Sequence, residues 1–240
     1  MRLDQRLVDL GLAPSRARAQ ALIRAGAVTL GGVVASKPSQ TPPEGAEIAL
    51  IADPCPWVSR AALKLVHALD LWGLSPSGAE ALDLGASTGG FTEVLLARGA
   101  AKVHALDVGR GQLHPRIAAD ARVRSLEGVN ARTIPPGLIP PVDWITADLA
   151  FIGLEKALPG PLTLARSGAV LVALIKPQFE AGPDAVGKGG LVKDPATHER
   201  VRARIRDFLE NEGWRVSGET PSPIPGADGN REFLIAARKD

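Results

Sequence analysis

Apolar positions recur at two periods along the chain, and the change of period divides it. Leu3, Leu7, Val8 and Leu10 fall at helical spacing and predict a short helix over residues 2–10. Ser15 then caps a second helix, SRARAQALIRAG, with Ala19, Leu22 and Ile23 on its inner face and Gly26 ending it. AVTLGGVVAS reads as two short β segments around a Gly31-Gly32 turn. A Pro- and Gly-rich stretch, KPSQTPPEGAEI, leads into a third β pattern, EIALI. Asp53-Pro54-Cys55-Pro56 breaks the pattern, which predicts a small α+β domain over 1–53, a linker over 54–58 and a second domain over 59–240.

Beyond the linker, apolar strands alternate with helices. EALDL (80–84), KVHALDV (102–108), VRSLEG (123–128), VDWITADL (142–149) and AVLVALIKP (169–177) are the first five strands; WRVSGETPSPI and NREFLIAARK are the last two. Helices are expected at 91–99, near 152–166, and from Pro195, where Val201, Ile205, Phe208 and Leu209 form an apolar stripe. Such alternation calls for a mainly parallel, seven-stranded sheet with helices on both faces, an α/β doubly wound fold.

Composition narrows the function classes. The chain has 240 residues, 45% hydrophobic and 22% charged, with a formal net charge of only +2. Residues 1–40 nevertheless carry six basic side chains against two acidic ones, a concentration suited to a polyanion. Cys55 is the single cysteine, so no intrachain disulfide can form. The N-terminus has no signal-peptide core, and the longest apolar run, Ala169–Ile175, is far below the ~20 residues that span a bilayer. A cytoplasmic protein without a membrane partner is expected. His67, His104, His114 and His198 are scattered, and no metal site is expected. No oligomeric state follows from these features.

The chemistry concentrates in LDLGASTGGF, which joins the first strand of the second domain to a helix. Its spacing is G-x-x-x-G-G rather than the G-x-G-x-x-G of dinucleotide folds, and Ser87 stands where a pyrophosphate would need glycine. Asp107 ends the next strand, where a carboxylate can accept from both hydroxyls of a ribose. This ordered set resembles the S-adenosylmethionine site of class I methyltransferases. The resemblance implies cofactor contacts from Asp83, Gly85, Ser87, Thr88, Gly89, Gly90, Phe91 and Asp107, with Asn130 beside the adenine. GPDAVGKGG (182–190) nearly matches a phosphate-binding loop, but Gly189 replaces the Ser or Thr, and the loop follows the fifth strand instead of the first. It reads as a lid, with Lys188 and Lys193 near nucleic-acid phosphates.

The methyl acceptor is narrowed by what the chain lacks. ADLAF (147–151) has no Asn-Pro-Pro-Tyr-type element for attack by a base nitrogen, and Cys55, set between prolines, is a poor nucleophile for base-carbon chemistry. Lys64, Asp148, Lys176 and Glu232 instead follow the K-D-K-E order of the FtsJ/RrmJ ribose 2′-O-methyltransferases. The words VSRAALKL, DLAFIGL, LIKPQFE and VGKGGLVKDP resemble the TlyA family, whose members are often labelled hemolysins, and residues 1–50 resemble the S4 RNA-binding module. Ala61 stands where relatives usually have glycine.

The resemblance implies a ribosomal RNA or ribosomal-subunit partner and a cytidine acceptor. The chain's length matches the shorter family form, which implies large-subunit RNA. It further implies Lys176 as general base, Lys64 favouring its neutral form and steadying the oxyanion, Asp148 orienting Lys176, and Glu232 positioning Lys64 or the ribose. Arg2, Arg6, Arg16, Arg18, Arg24 and Arg60 become candidate phosphate contacts. Taken singly, Lys64 reads as a surface lysine of an amphipathic helix and Glu232 as an exposed strand charge. A membrane-lytic protein and a catalytically silent RNA binder are the competing classes; the arginines of the helix at 197–211 spread around it and do not form a membrane-binding face.

Overall fold

The computed structural model describes residues 1–24, 26–43, 45–51, 56–226 and 228–240. Pro54 and Cys55 of the expected linker lie outside the described residues. The chain forms two compact units, Met1–Pro56 and Trp57–Asp240.

In the first unit, α1 (Leu3–Asp9) and α2 (Arg16–Arg24) pack together, and β1 (Val28–Leu30) lies between β2 (Val33–Val34) and β3 (Ile48–Leu50) in an antiparallel sheet. Leu3, Leu7, Ala19, Leu22 and Ile23 form the core with Val28, as the helical spacing predicts, whereas Leu10 falls just beyond α1 and is exposed. Asp4 is fully buried and accepts hydrogen bonds from Arg2, Arg16 and Gln20. The Arg2 guanidinium beside it holds its carboxyl well below the usual carboxylate range.

The second unit begins with α3 (Ala62–Trp72), stopped by Gly73 in a left-handed conformation. There follow β4 (Glu80–Leu84), α4 (Gly90–Ala97), β5 (Lys102–Asp107), α5 (Pro115–Ala118), β6 (Val123–Glu127) and β7 (Val142–Ala147). Two four-residue helices come next, α6 (Leu154–Ala157) and α7 (Pro159–Leu162), where the sequence pattern suggested one helix. Pro159 and Pro161 explain the break, since neither can donate the hydrogen bonds a continuous helix needs. β8 (Ala165–Ile175) starts four residues earlier than expected. The chain finishes with α8 (Pro177–Glu180), α9 (Pro195–Asn211), β9 (Trp214–Pro221) and β10 (Phe233–Lys239).

The seven strands run in the order β6-β5-β4-β7-β8-β10-β9. All neighbours are parallel except β10, which is antiparallel to both β8 and β9. β4 and β5 are central, so their residues are buried on both sides and read as apolar runs. One core cluster joins Leu82, Ile145, Leu171, Ile205 and Ile235; the other joins Leu65, Leu95, Val103, Val172 and Leu234. A sheet filled on both faces leaves the carboxyl ends of β4, β5 and β7 as its functional edge.

Candidate active site

The loop after β4 is shaped by close backbone approach. Gly85 has φ +79°, and a Cβ placed on it would lie 2.5 Å from the backbone oxygen of Asp148, which follows β7. Ser87 also takes a left-handed φ, 47°, and its N–H donates to Asp107 Oδ2 at 2.8 Å. Asp107 Oδ1 accepts from Gly109 N at 2.7 Å. A single strand-end carboxylate thus ties two loops together while still facing the cleft between them. Thr88 follows Ser87 in the loop, Gly89 has φ +95° at the start of α4, and Gly90 packs beneath Ser59 so tightly that a Cβ would meet that side chain at 2.9 Å. Phe91 is buried in the core.

The cleft has a volume of about 490 Å³. Leu106, Val108, Ala131, Leu149 and Ile152 supply apolar walls, and Asp107, Asn130 and Asp148 supply polar groups. Of the residues assigned to the cofactor from sequence, Gly85, Ser87, Asp107 and Asn130 line this cleft, whereas Asp83, Thr88, Gly89, Gly90 and Phe91 do not. Asn130 also caps a turn, accepting from Arg132 N at 3.0 Å. Glu127, which the sequence reading passed over, accepts from the backbone N–H groups of Gly111, Gln112 and Leu113 and so fixes the loop that carries Gln112 to the cleft. Those amides hold its carboxyl below the usual range. The signal was a strand-end acid followed by glycine.

Asp83 lies beneath the cleft and is fully buried, accepting from Thr92 Oγ1 at 2.6 Å and Thr146 Oγ1 at 2.9 Å. Burial pushes its carboxyl up to about 6; the two hydroxyls oppose that shift and the nearby Asp148 charge adds to it. An acid whose folded value lies above its unfolded value of 3.8 penalises folding once it ionises. The penalty is fully present above about pH 6 and is relieved as pH falls toward 4. Asp83→Asn, close in shape but uncharged, is therefore expected to be more stable than the parent at pH 8 by up to about 3 kcal/mol, with the difference vanishing near pH 4. Urea unfolding at the two pH values checks this; an equal difference at both would show that ionisation is not its source.

At the same edge, four ionisable side chains form two ion pairs. Lys176 follows β8, and its Nζ lies 2.5 Å from Asp148 Oδ1. The approach is off the direction a hydrogen bond needs, so this buried oxygen is charge-paired while accepting no hydrogen bond. Lys64 of α3 donates to Glu232 Oε2 in a short buried contact. The surface readings of Lys64 and Glu232 do not hold: they are only 7% and 3% exposed. Glu232 reaches this place through strand register. Ile175 pairs with Phe233 across antiparallel β8 and β10, which sets Lys176 and Glu232 at the same end of the ladder.

The basic residues are placed differently. Arg2, Arg6, Arg16 and Arg24 are exposed on the first unit, with Arg2 and Arg16 also paired to Asp4; Arg18 is half-buried. Arg60, Lys188 and Lys193 are exposed on the second unit. The 182–190 loop is pinned, because Asn230 Oδ1 accepts from Val192 N and Asn230 Nδ2 donates to Gly190 O, each at 2.9 Å. Among the described residues there is no group of three potential metal ligands, and no helix is long and apolar enough to cross a membrane.

A glycine-shaped cleft at the switch point of this sheet, lined by an Asp148 that is itself paired to Lys176, points to a class of protein. The family described as FtsJ-like methyltransferase matches residues 57–239, and the S4 domain matches residues 1–48. The chain is 44% identical over 239 residues to the 16S/23S rRNA (cytidine-2′-O)-methyltransferase TlyA of Mycobacterium tuberculosis, covering 99% of this chain and 89% of that one. It is 38% identical over 238 residues to a Brachyspira hyodysenteriae protein named Hemolysin A, covering 98% of each. A solved structure from Streptococcus thermophilus, described as a hemolysin, superposes with a TM-score of 0.79 at 37% identity, covering 100% of this chain and 88% of that one. The chain belongs to the TlyA family of FtsJ-like methyltransferases.

Proposed function

We propose that the chain methylates the ribose 2′-hydroxyl of a cytidine in ribosomal RNA of the large subunit, in the cytoplasm, using S-adenosylmethionine. The observation that carries this reading is the pair of ion pairs, Lys176–Asp148 and Lys64–Glu232, at the same edge of the sheet as the cleft, which Asp148 lines. The cleft's residues suit the cofactor. Asp107 offers acceptor oxygens to a ribose diol, the apolar walls accept a purine, and the Gly85 backbone leaves room for close approach. When bound, S-adenosylmethionine supplies an electrophilic methyl group on a positively charged sulfur.

The chain's own residues handle the proton. A ribose hydroxyl is a weak nucleophile, so Lys176, once it has released to solvent the proton that pairs it with Asp148, takes the 2′-proton as the oxygen attacks. The ammonium formed is met at once by Asp148 2.5 Å away, which needs no reorganisation at the moment of reaction. Lys64, held by Glu232, presents a fixed positive group toward the developing oxyanion. The exposed arginines of the S4-like unit supply phosphate contacts that set register without reading sequence.

Primer extension on both ribosomal RNAs, with and without the protein, tests the acceptor. A new stop at a cytidine in large-subunit RNA alone is the expected result. A stop in small-subunit RNA would remove the subunit assignment, and methylation found on a base would remove the ribose assignment.

A further inference from the structure

In the first unit, arginines at the starts of two different helices share one carboxylate. Asp4 lies in the first turn of α1 and is fully buried, while the Arg2 and Arg16 side chains that meet it are 44% and 53% exposed. Arg2 donates through Nε to Oδ1 at 3.0 Å and through Nη2 to Oδ2 at 3.2 Å. Arg16, the first residue of α2, donates through Nη2 to the same Oδ2 at 3.2 Å. Gln20 Nε2 and the Gln5 N–H take the remaining acceptor directions at 2.8 and 3.0 Å.

These bonds fix where both guanidinium groups point. A guanidinium carries its N–H donors in one rigid plane, so anchoring one edge sets the direction of the other. Arg2 spends its Nε–Nη2 edge on Asp4, which leaves Nη1 and the second Nη2 hydrogen at the opposite end. Arg16 spends one Nη2 hydrogen and keeps the rest of its fork. Both heads touch the same oxygen, so two positive groups stand side by side with the counter-charge sealed beneath them. Two guanidinium groups against one carboxylate leave a net positive charge. Asp4 has its acceptor sites filled and no surface of its own, so an arriving anion meets only N–H groups. A phosphate suits this arrangement: its oxygens accept from both forks, and binding does not have to immobilise two free side chains.

We propose that Arg2 and Arg16 form one preorganised clamp for a single backbone phosphate of ribosomal RNA, with Asp4 as the positioning residue that aims both guanidinium groups. The inference rests on the ribosomal-RNA reading above and deepens it: the two arginines act as one site, not as members of a diffuse basic surface.

Asp4→Asn separates aiming from charge, because the two give opposite signs. The amide keeps the size and one acceptor oxygen of the carboxylate and makes the surface more positive, which by itself would tighten RNA binding. The clamp gives the reverse. For the full-length variant, shown to be folded by circular dichroism and melting, the Kd for large-subunit ribosomal RNA is expected to rise about 10-fold, and in the methylation assay the loss falls on the KM for RNA more than on kcat. Unchanged or tighter binding by the folded variant would overturn the proposal. Arg2→Lys, Arg16→Lys and the double variant keep every charge and form a second arm that does not depend on Asp4→Asn folding. Each single change is expected to weaken binding about 10-fold and the double change by little more, because one phosphate loses one clamp. Losses that multiply would mean two independent contacts, and no loss would mean that charge alone matters; either result removes the clamp. A parent that binds this RNA but methylates no ribose removes the enzymatic reading, and the clamp is then decided by the binding arms; an active parent whose variants all bind as it does removes the clamp alone.

Discussion

Lys176→Ala is expected to lower kcat for methyl transfer by about 10³-fold or more while cofactor affinity changes by less than about threefold. The separation follows from position. Lys176 stands at the end of β8, paired to Asp148, and is not among the residues lining the cleft. Its loss removes the proton acceptor and leaves the cleft walls in place. Lys176→Arg sharpens the test, because a guanidinium keeps the positive charge but cannot act as a base near neutral pH. Equal losses in both variants mark proton transfer; substantial activity in the arginine variant would mean that Lys176 supplies only charge. Single-turnover rates together with isothermal titration of S-adenosylmethionine read both quantities, and near-normal turnover by Lys176→Ala would overturn the assignment.

The second large effect is expected from one methyl group. Gly85→Ala forces a side chain onto a backbone at φ +79° and into the carbonyl of Asp148, 2.5 Å from the new Cβ. Neither obstacle is a flexible side-chain tip. The backbone strain and the displaced strand end together are expected to cost about 2–4 kcal/mol, or about 5–15 °C in the melting temperature. Because the obstructing oxygen belongs to Asp148, the surviving folded protein is also expected to transfer methyl groups poorly. Calorimetry and the transfer assay on the same preparation check both. Unchanged melting with unchanged activity would show that the two loops do not approach as described.

How legible these features were in the sequence depends on how local their causes are. LDLGASTGGF could be read because a strand, a glycine turn and a helix start are neighbours in the chain. Asp107 could be placed at its strand end for the same reason, but its bonds from the Ser87 and Gly109 amides depend on loop conformations with no sequence signature. The helix expected near 152–166 is interrupted because Pro159 and Pro161 decide where it can continue. Lys64 and Glu232 are 168 residues apart, and their burial depends on α3 packing against a sheet whose last strands run antiparallel. No spacing rule conveys that, so each taken alone resembled a surface charge. Glu127, Asp228 and Asn230 escaped notice for a related reason: their partners are backbone amides and a glutamine brought in by loops with no periodic signature.

Asp83 shows a cost that sequence alone could not display. A buried carboxyl pushed up to about 6 is an expensive choice where asparagine would fit.

The β8–β10 ladder carries a consequence for how such proteins can diversify. Ile175 and Phe233 occupy one rung although 57 residues of chain lie between them. That excursion contains the pinned loop, α9 and the edge strand β9, and it leaves and rejoins the β8–β10 ladder at neighbouring points. The rung between Ile175 and Phe233, not the length of the intervening loop, sets the spacing between Lys176 and Glu232. Loop length in that excursion can therefore vary while the two ends of the ladder keep Lys176 and Glu232 side by side.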